Sequence, residues 1–226
     1  MSHFHQHAPA SGQTPDTKGI VIHWAGFYDF IFDRLLRPSE DSIRVLSQLQ
    51  PGQKVLDTGC GSGRLTIAAQ KWVGPAGEAQ GIDPSPEMVN LASQNAASSG
   101  LAAKFQVGLA EAIPFPDATF DVVISRLVMH HLPGDLKQRG LAEMRRVLKP
   151  GGVCLVVDFE PPTSPILLHL VENLLSPMMA KIDVRTYIPL LVEAGFVDVE
   201  TGPTSSKLLS FVRGRAPGKG SGSGNK

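Results

Sequence analysis

Short β-like runs alternate with helical patterns from residue 54 to residue 202, and this alternation constrains the fold more than any other feature of the chain. It is the signature of a parallel sheet with helices on both faces. Strands are expected at 54–59 (KVLDTG), 78–83 (EAQGID), 103–108 (AKFQVG), 120–125 (FDVVIS), 152–159 (GVCLVVDF), 196–202 (FVDVETG) and 207–215 (KLLSFVRGR). Helical patterns fall at 65–73, 85–100, 133–151 and 184–195. The last two strands are joined by only a few residues, too few for a crossover helix, so they should pair antiparallel. The expected fold is therefore α/β, with five parallel strands and a C-terminal antiparallel hairpin.

The first strand runs into VLDTGCGSGRLT (55–66), where Gly59, Gly61 and Gly63 alternate just before a helix. A strand, a glycine turn and a helix N-terminus together present backbone N–H groups, partial positive charge and room for a ligand to reach the main chain. The dinucleotide fingerprint, G-x-G-x-x-G, places its third glycine one residue later, beside a pyrophosphate. The tighter spacing here argues for a ligand without one. Asp57, at the carboxyl end of the first strand, can meet a cationic amine. Asp83, at the end of the second, stands where a carboxylate accepts hydrogen bonds from a ribose diol. Cys60 needs only to be small, and no base neighbours it in sequence, so it is read as part of the loop and not as a nucleophile.

Four motifs in order, VLDTGCGSG (55–63), GIDPSPEMV (81–89), GLAEAIPFPDATFDVVISRLVMHHL (108–132) and RRVLKPGG (145–152), resemble the class I S-adenosylmethionine-dependent methyltransferases. The branch they resemble is that of the ubiquinone/menaquinone-biosynthesis C-methyltransferases, over about residues 20–215. The resemblance implies a Rossmann-like, seven-stranded sandwich with S-adenosyl-L-methionine as cofactor, and no metal is expected. It implies that Gly59, Cys60 and Gly61 wrap the methionine portion, with Asp57 near its amino group and Asp83 on both ribose hydroxyls. Pro84 and Met88 would flank the adenine, the Ala110–Glu111 backbone would edge it, and Ser125 and Tyr28 would complete the cofactor site. Leu109 departs from the pattern, because relatives commonly carry an Asp there. Losing that partner costs the adenine amino group about 1 kcal/mol.

The catalytic candidates are His130, Arg126 and Tyr28. His130 and Arg126 follow the fourth strand, at the edge where open α/β sheets bind ligands. His130 is a candidate general base. Arg126 either neutralises an acidic group of the substrate or pairs with an acid of the fold. His131 matches a residue common among relatives of diverse substrate, which implies a structural role. The apolar positions of HWAGFYDFIFDRLL (23–36) follow a helical stripe that contains Tyr28. In PILLHLVENLLSPMMA (165–180) they cover well over half a helical wheel, which is read as an apolar lid.

The expected reaction is methyl transfer to a small apolar or amphipathic acceptor, a quinone precursor or a phospholipid-like molecule. Methylation of a water-soluble metabolite and a binding module without catalysis are the alternatives. Composition narrows the partners: 226 residues with formal net charge +0 give no reason to expect nucleic acid. No run approaches a membrane span, so at most peripheral membrane contact is expected, in the cytoplasm, by a monomer or homodimer. His3, His5 and His7 lie in a polar arm (1–19) and lack a second ligand cluster. Residues 216–226 read as a Gly/Ser-rich tail.

Overall fold

The structure is a computed structural model that describes residues 40–161, 169, 182–206 and 208–218. The arm at 1–19, Tyr28 with its helical stripe, all but one residue of the expected lid at 165–180 and the tail from 219 on lie outside the described residues.

The strands are β1 (Lys54–Thr58), β2 (Glu78–Asp83), β3 (Lys104–Val107), β4 (Phe120–Arg126), β5 (Leu148–Phe159), β6 (Val197–Pro203) and β7 (Leu209–Arg215). They form one seven-stranded sheet in the order β3-β2-β1-β4-β5-β7-β6. β1 to β5 pair in parallel, while β7 pairs antiparallel with both β5 and β6. The expected parallel core and closing hairpin are both present, with β7 inserted between β5 and β6.

Helices α1 (Glu40–Ser47), α2 (Arg64–Val73), α3 (Pro86–Ser98), α4 (Gly134–Val147) and α5 (Tyr187–Glu193) cover the sheet. The central strands read as continuous apolar runs because both of their faces are buried. Leu56, Val123, Cys154 and Val156 share one core with Leu141 and Met144 of α4 and Leu191 of α5. Val55, Val122, Ile124 and Leu155 face the other way, against Ile43 of α1 and Leu65 and Ala69 of α2. This period-two alternation sorts each strand between two helix layers.

Two local readings change. The helix expected at 133–151 ends at Val147, and Leu148 already pairs with Phe120 as the start of β5. Pro150 and Gly151, the latter at φ 79°, suit an extended turn and not a helix end. α1 was not expected at all. The helix expected at 85–100 is present as α3, whose Ser85 N-cap accepts the Met88 N–H at 3.2 Å and which carries Pro86 in its first turn.

Candidate active site

Parallel β1, β2 and β4 all end at the same edge of the sheet, so their C-terminal residues become neighbours. Thr58 of β1 lies in register with Ile82 of β2 and Ser125 of β4, and Asp83 with Val107 of β3. Asp57, Gly59–Gly63, Asp83, Ala110–Glu111, Ser125 and Arg126 thereby gather along one crevice edge, where open α/β folds bind their ligands.

All three loop glycines take positive φ, at 68°, 51° and 81° for Gly59, Gly61 and Gly63. Their surroundings differ. A Cβ on Gly59 would lie 2.3 Å from Val128 Cγ2, and one on Gly63 would lie 2.8 Å from Ala92 Cβ and Phe105 Cζ. A Cβ on Gly61 would meet nothing within 4 Å. The outer glycines thus let the loop pack against the fold, while the middle one borders open space. The Gly59 and Cys60 N–H groups donate to the Ile82 carbonyl at 2.7 and 2.9 Å, which ties the loop to β2.

Asp83 is buried at the end of β2 and holds this loop as well. Its Oδ2 accepts the Gly61 N–H and its Oδ1 the Ser85 N–H, both at 2.9 Å. Burial raises its carboxyl above the usual range, and the two backbone donors pull it partly back. Asp57 accepts the Thr66 hydroxyl at 2.7 Å. Burial pushes its carboxyl up to about 6, against the opposing pull of Thr66 and the positive charge of Arg126. Of the two roles open to Arg126 in the sequence, a charge interaction with an acid of the fold is therefore present. Cys60 is a buried thiol, which burial first and then Asp57 and Asp83 push well above its ordinary value, so it carries no thiolate chemistry.

Ser125 is fully buried, and its Oγ has no hydrogen-bond partner among the described residues. Ala110 and Glu111 are buried in the segment after β3, where Leu109 bridges Ala112. Arg146 fastens the loop that follows, donating to the Ile113 carbonyl at 2.9 Å and the Phe115 carbonyl at 2.8 Å while Glu143 accepts the Ile113 N–H at 2.9 Å. Pro84 and Met88 are half-buried at the start of α3.

Beyond β4, Leu127 takes φ 59°, an uncommon conformation for a residue with a side chain, and turns the chain into a short 3₁₀ segment, Met129–His131. His130 Nδ1 lies 2.7 Å from Asp158 Oδ1 at the end of β5. The His130 and His131 rings sit with centroids 3.9 Å apart. His131 is held down at about 4, by burial first and then by its neighbour His130, so it is a neutral imidazole near pH 7. Asp158 and Tyr187 were not among the expected site residues. An acid closing an otherwise apolar strand, VCLVVDF, was the available signal for the first. Among the described residues, no group of three or more His, Cys, Asp or Glu side chains could hold a metal ion, and no helix is long and apolar enough to cross a membrane.

The profile of a family described as a methyltransferase domain matches residues 55–152. A demethylmenaquinone methyltransferase from Geobacillus kaustophilus is 31% identical over 195 residues, covering 76% of this chain and 82% of that protein. A ubiquinone/menaquinone biosynthesis C-methyltransferase from Hydrogenovibrio crunogenus is 29% identical over 235 residues, 91% of each chain. Among solved structures, a SAM-dependent methyltransferase from Aquifex aeolicus superposes with a TM-score of 0.65 at 25% identity, over 84% of this chain and 99% of that one.

Proposed function

Since this chain belongs to the S-adenosylmethionine-dependent methyltransferases, we propose that it methylates a small apolar or amphipathic ring, a quinone precursor, bound at the carboxyl edge of its sheet. Methyltransferase activity and the cofactor follow from the family. The acceptor is the proposal. The names of the two quinone-pathway relatives favour a quinone precursor over a phospholipid-like molecule.

The observation that carries the reading is one arrangement: two buried carboxylates, Asp57 and Asp83, flank a loop of three positive-φ glycines with open space before Gly61. The residues present fit S-adenosylmethionine. Open space at Gly61 leaves room for main-chain contact, and the Ser125 hydroxyl is a buried polar atom awaiting a partner. Asp57 would hold the amino group, and binding that cation favours the ionised carboxylate which burial otherwise disfavours. Asp83 would take the ribose hydroxyls on lone pairs left beside its two backbone donors. Gly59, Cys60 and Gly61 would line the methionine portion, with Pro84, Met88 and the Ala110–Glu111 backbone around the adenine. Tyr28, outside the described residues, would close over the cofactor.

The cofactor supplies a methyl already activated on a sulfonium sulfur. The protein's work is therefore to align the acceptor with that methyl, exclude water and receive a proton where the acceptor must lose one. His130 would take that proton, and Arg126 would add positive charge beside the acceptor. A membrane-held quinone precursor would also bring the protein into peripheral membrane contact from the cytoplasm.

The test is incubation of the full chain with methyl-labelled S-adenosylmethionine and, in parallel, a naphthalene-1,4-diol bearing one prenyl chain, phosphoethanolamine, and separate lipid and aqueous cell extracts. Label in the diol and the lipid extract is expected. Label only in aqueous metabolites contradicts the acceptor class. No label anywhere, with S-adenosylhomocysteine still bound, favours a binding module.

A further inference from the structure

Asp158 is fully buried, and each of its carboxylate oxygens lies within hydrogen-bond distance of two polar groups. Oδ1 lies 2.7 Å from His130 Nδ1 and takes the Phe159 N–H at 2.9 Å. Oδ2 takes the His130 backbone N–H at 3.1 Å and the Tyr187 hydroxyl at 3.0 Å. Three of its four lone-pair directions are filled by donors of fixed direction, the His130 and Phe159 backbone N–H groups and the Tyr187 hydroxyl, and an ionised carboxylate has no proton to give, so it meets Nδ1 only as an acceptor. The proton of a neutral His130 ring then sits on Nδ1, and Nε2 keeps its lone pair.

The rest of the packing fixes the ring as well. Tyr187, at the start of α5, is raised well above its ordinary phenol value by burial and by Asp158, so it stays a donor. The His130 ring stands 5.3 Å from the Phe159 ring at 66° and lies against the His131 ring at a tilt of 45°. His130 belongs to the segment that begins with Val128, the side chain seated on Gly59. The ring is thus attached to the glycine loop on one side and to β5 on the other.

We propose that Asp158, braced by Tyr187, is a positioning residue that fixes His130 with Nε2 as proton acceptor, so that the site serves acceptors whose reacting group loses a proton as it is methylated: aromatic hydroxyls, or ring carbons activated by them. The inference rests on the methyl-transfer reading and deepens it. The acceptor's oxygen or ring carbon forms the new bond to the methyl carbon. The methyl–sulfur bond breaks with its electron pair kept by sulfur. The one proton the acceptor loses passes to His130 Nε2, and the resulting imidazolium is balanced by the Asp158 carboxylate. An alkylamine is an ammonium near neutral pH and must shed a proton as well, so the base selects for proton loss and the methyl-transfer reading selects the ring.

The test uses the full chain, the prenylated naphthalene-1,4-diol and two readouts. In ¹⁵N-labelled protein, the imidazole signal that disappears in His130→Ala is expected to report a protonated Nδ1 and a bare Nε2. Asp158→Asn, whose amide can donate to Nδ1, is expected to move that proton to Nε2 and to lower kcat on the diol by about 10²-fold, with KM for S-adenosylmethionine within about 3-fold. Tyr187→Phe is expected to lower kcat by about 3- to 10-fold. His130→Ala is expected to lose about 10²-fold or more and to regain turnover with added imidazole, which keeps the proposal decidable even if Asp158→Asn does not fold. A protonated Nε2 in the wild type, or full kcat in His130→Ala, overturns the inference while the quinone reading stands. Wild-type turnover of phosphoethanolamine with none of the diol overturns both.

Discussion

Val128 is seated on Gly59 so closely that a Cβ on residue 59 would fall 2.3 Å from its Cγ2, whereas a Cβ on Gly61, two residues along, would meet nothing within 4 Å. Packing therefore demands a glycine at 59, whereas at 61 the fold leaves room for a side chain.

The two glycines should respond differently to alanine. Both substitutions place a side chain at positive φ, at a cost of about 1 kcal/mol. Gly59→Ala must also displace Val128, adding about 1–3 kcal/mol as in other overpacked sites, so its denaturant midpoint should fall clearly. Gly61→Ala should stay within about 1 kcal/mol of the wild type in stability yet weaken S-adenosylhomocysteine binding by about tenfold or more. Equal destabilisation in urea titrations, or unchanged affinity in Gly61→Ala, would contradict the division.

Asp57 predicts a pH dependence of known sign. Its carboxyl is raised from 3.8 to about 6 by burial, so its contribution to stability is fully present below 3.8 and is lost as pH rises through about 6. At pH 7.5 the ligand-free protein therefore carries an ionised, buried carboxylate at a cost of about 1–3 kcal/mol. Asp57→Asn should make the ligand-free protein more stable at pH 7.5 and flatten its stability between pH 4 and 6.5, while weakening S-adenosylmethionine binding. Chemical denaturation at pH 5 and 7.5 measures this, and a variant less stable than wild type at pH 7.5 would contradict it.

Arg146 should act on the adenine side of the site without touching the cofactor. It holds the Ile113 and Phe115 carbonyls and pairs with Glu143 and Asp117. Arg146→Ala is expected to destabilise the fold by about 2 kcal/mol through the lost hydrogen bonds, and to weaken S-adenosylhomocysteine binding by several-fold as the 110–117 loop loosens. Arg146→Lys, which lacks the fork that reaches two carbonyls at once, should recover less than half of either loss. Full recovery would show that charge alone matters there.

Much of this arrangement was legible in the residues because its signals are local. The strand, the glycine turn and the helix of 54–73 lie in one continuous stretch, and Asp83 stands between a short strand-like run and the Pro84–Ser85–Pro86 start of a helix. The start of β5 was not legible, because RRVLK reads as a helix until Leu148 finds Phe120, 28 residues upstream, across the sheet. α1 was missed because eight residues with only Ile43 and Ser47 buried give too short a stripe. The His130–Asp158–Tyr187 cluster joins the turn after β4, the end of β5 and the start of α5, three segments far apart in the chain, so no spacing could point to it.

Asp83 tests the central claim most directly, since the reading needs S-adenosylmethionine held at the carboxyl edge by this carboxylate. The measurement is calorimetric titration of S-adenosylhomocysteine into the wild type and Asp83→Ala at pH 7.5, with NAD as the control ligand. The account predicts one site in the wild type, no binding of NAD, and an affinity in Asp83→Ala lower by about 1.5–3 kcal/mol, roughly 10- to 150-fold, in a protein that still unfolds cooperatively. Unchanged affinity in a folded Asp83→Ala would contradict it.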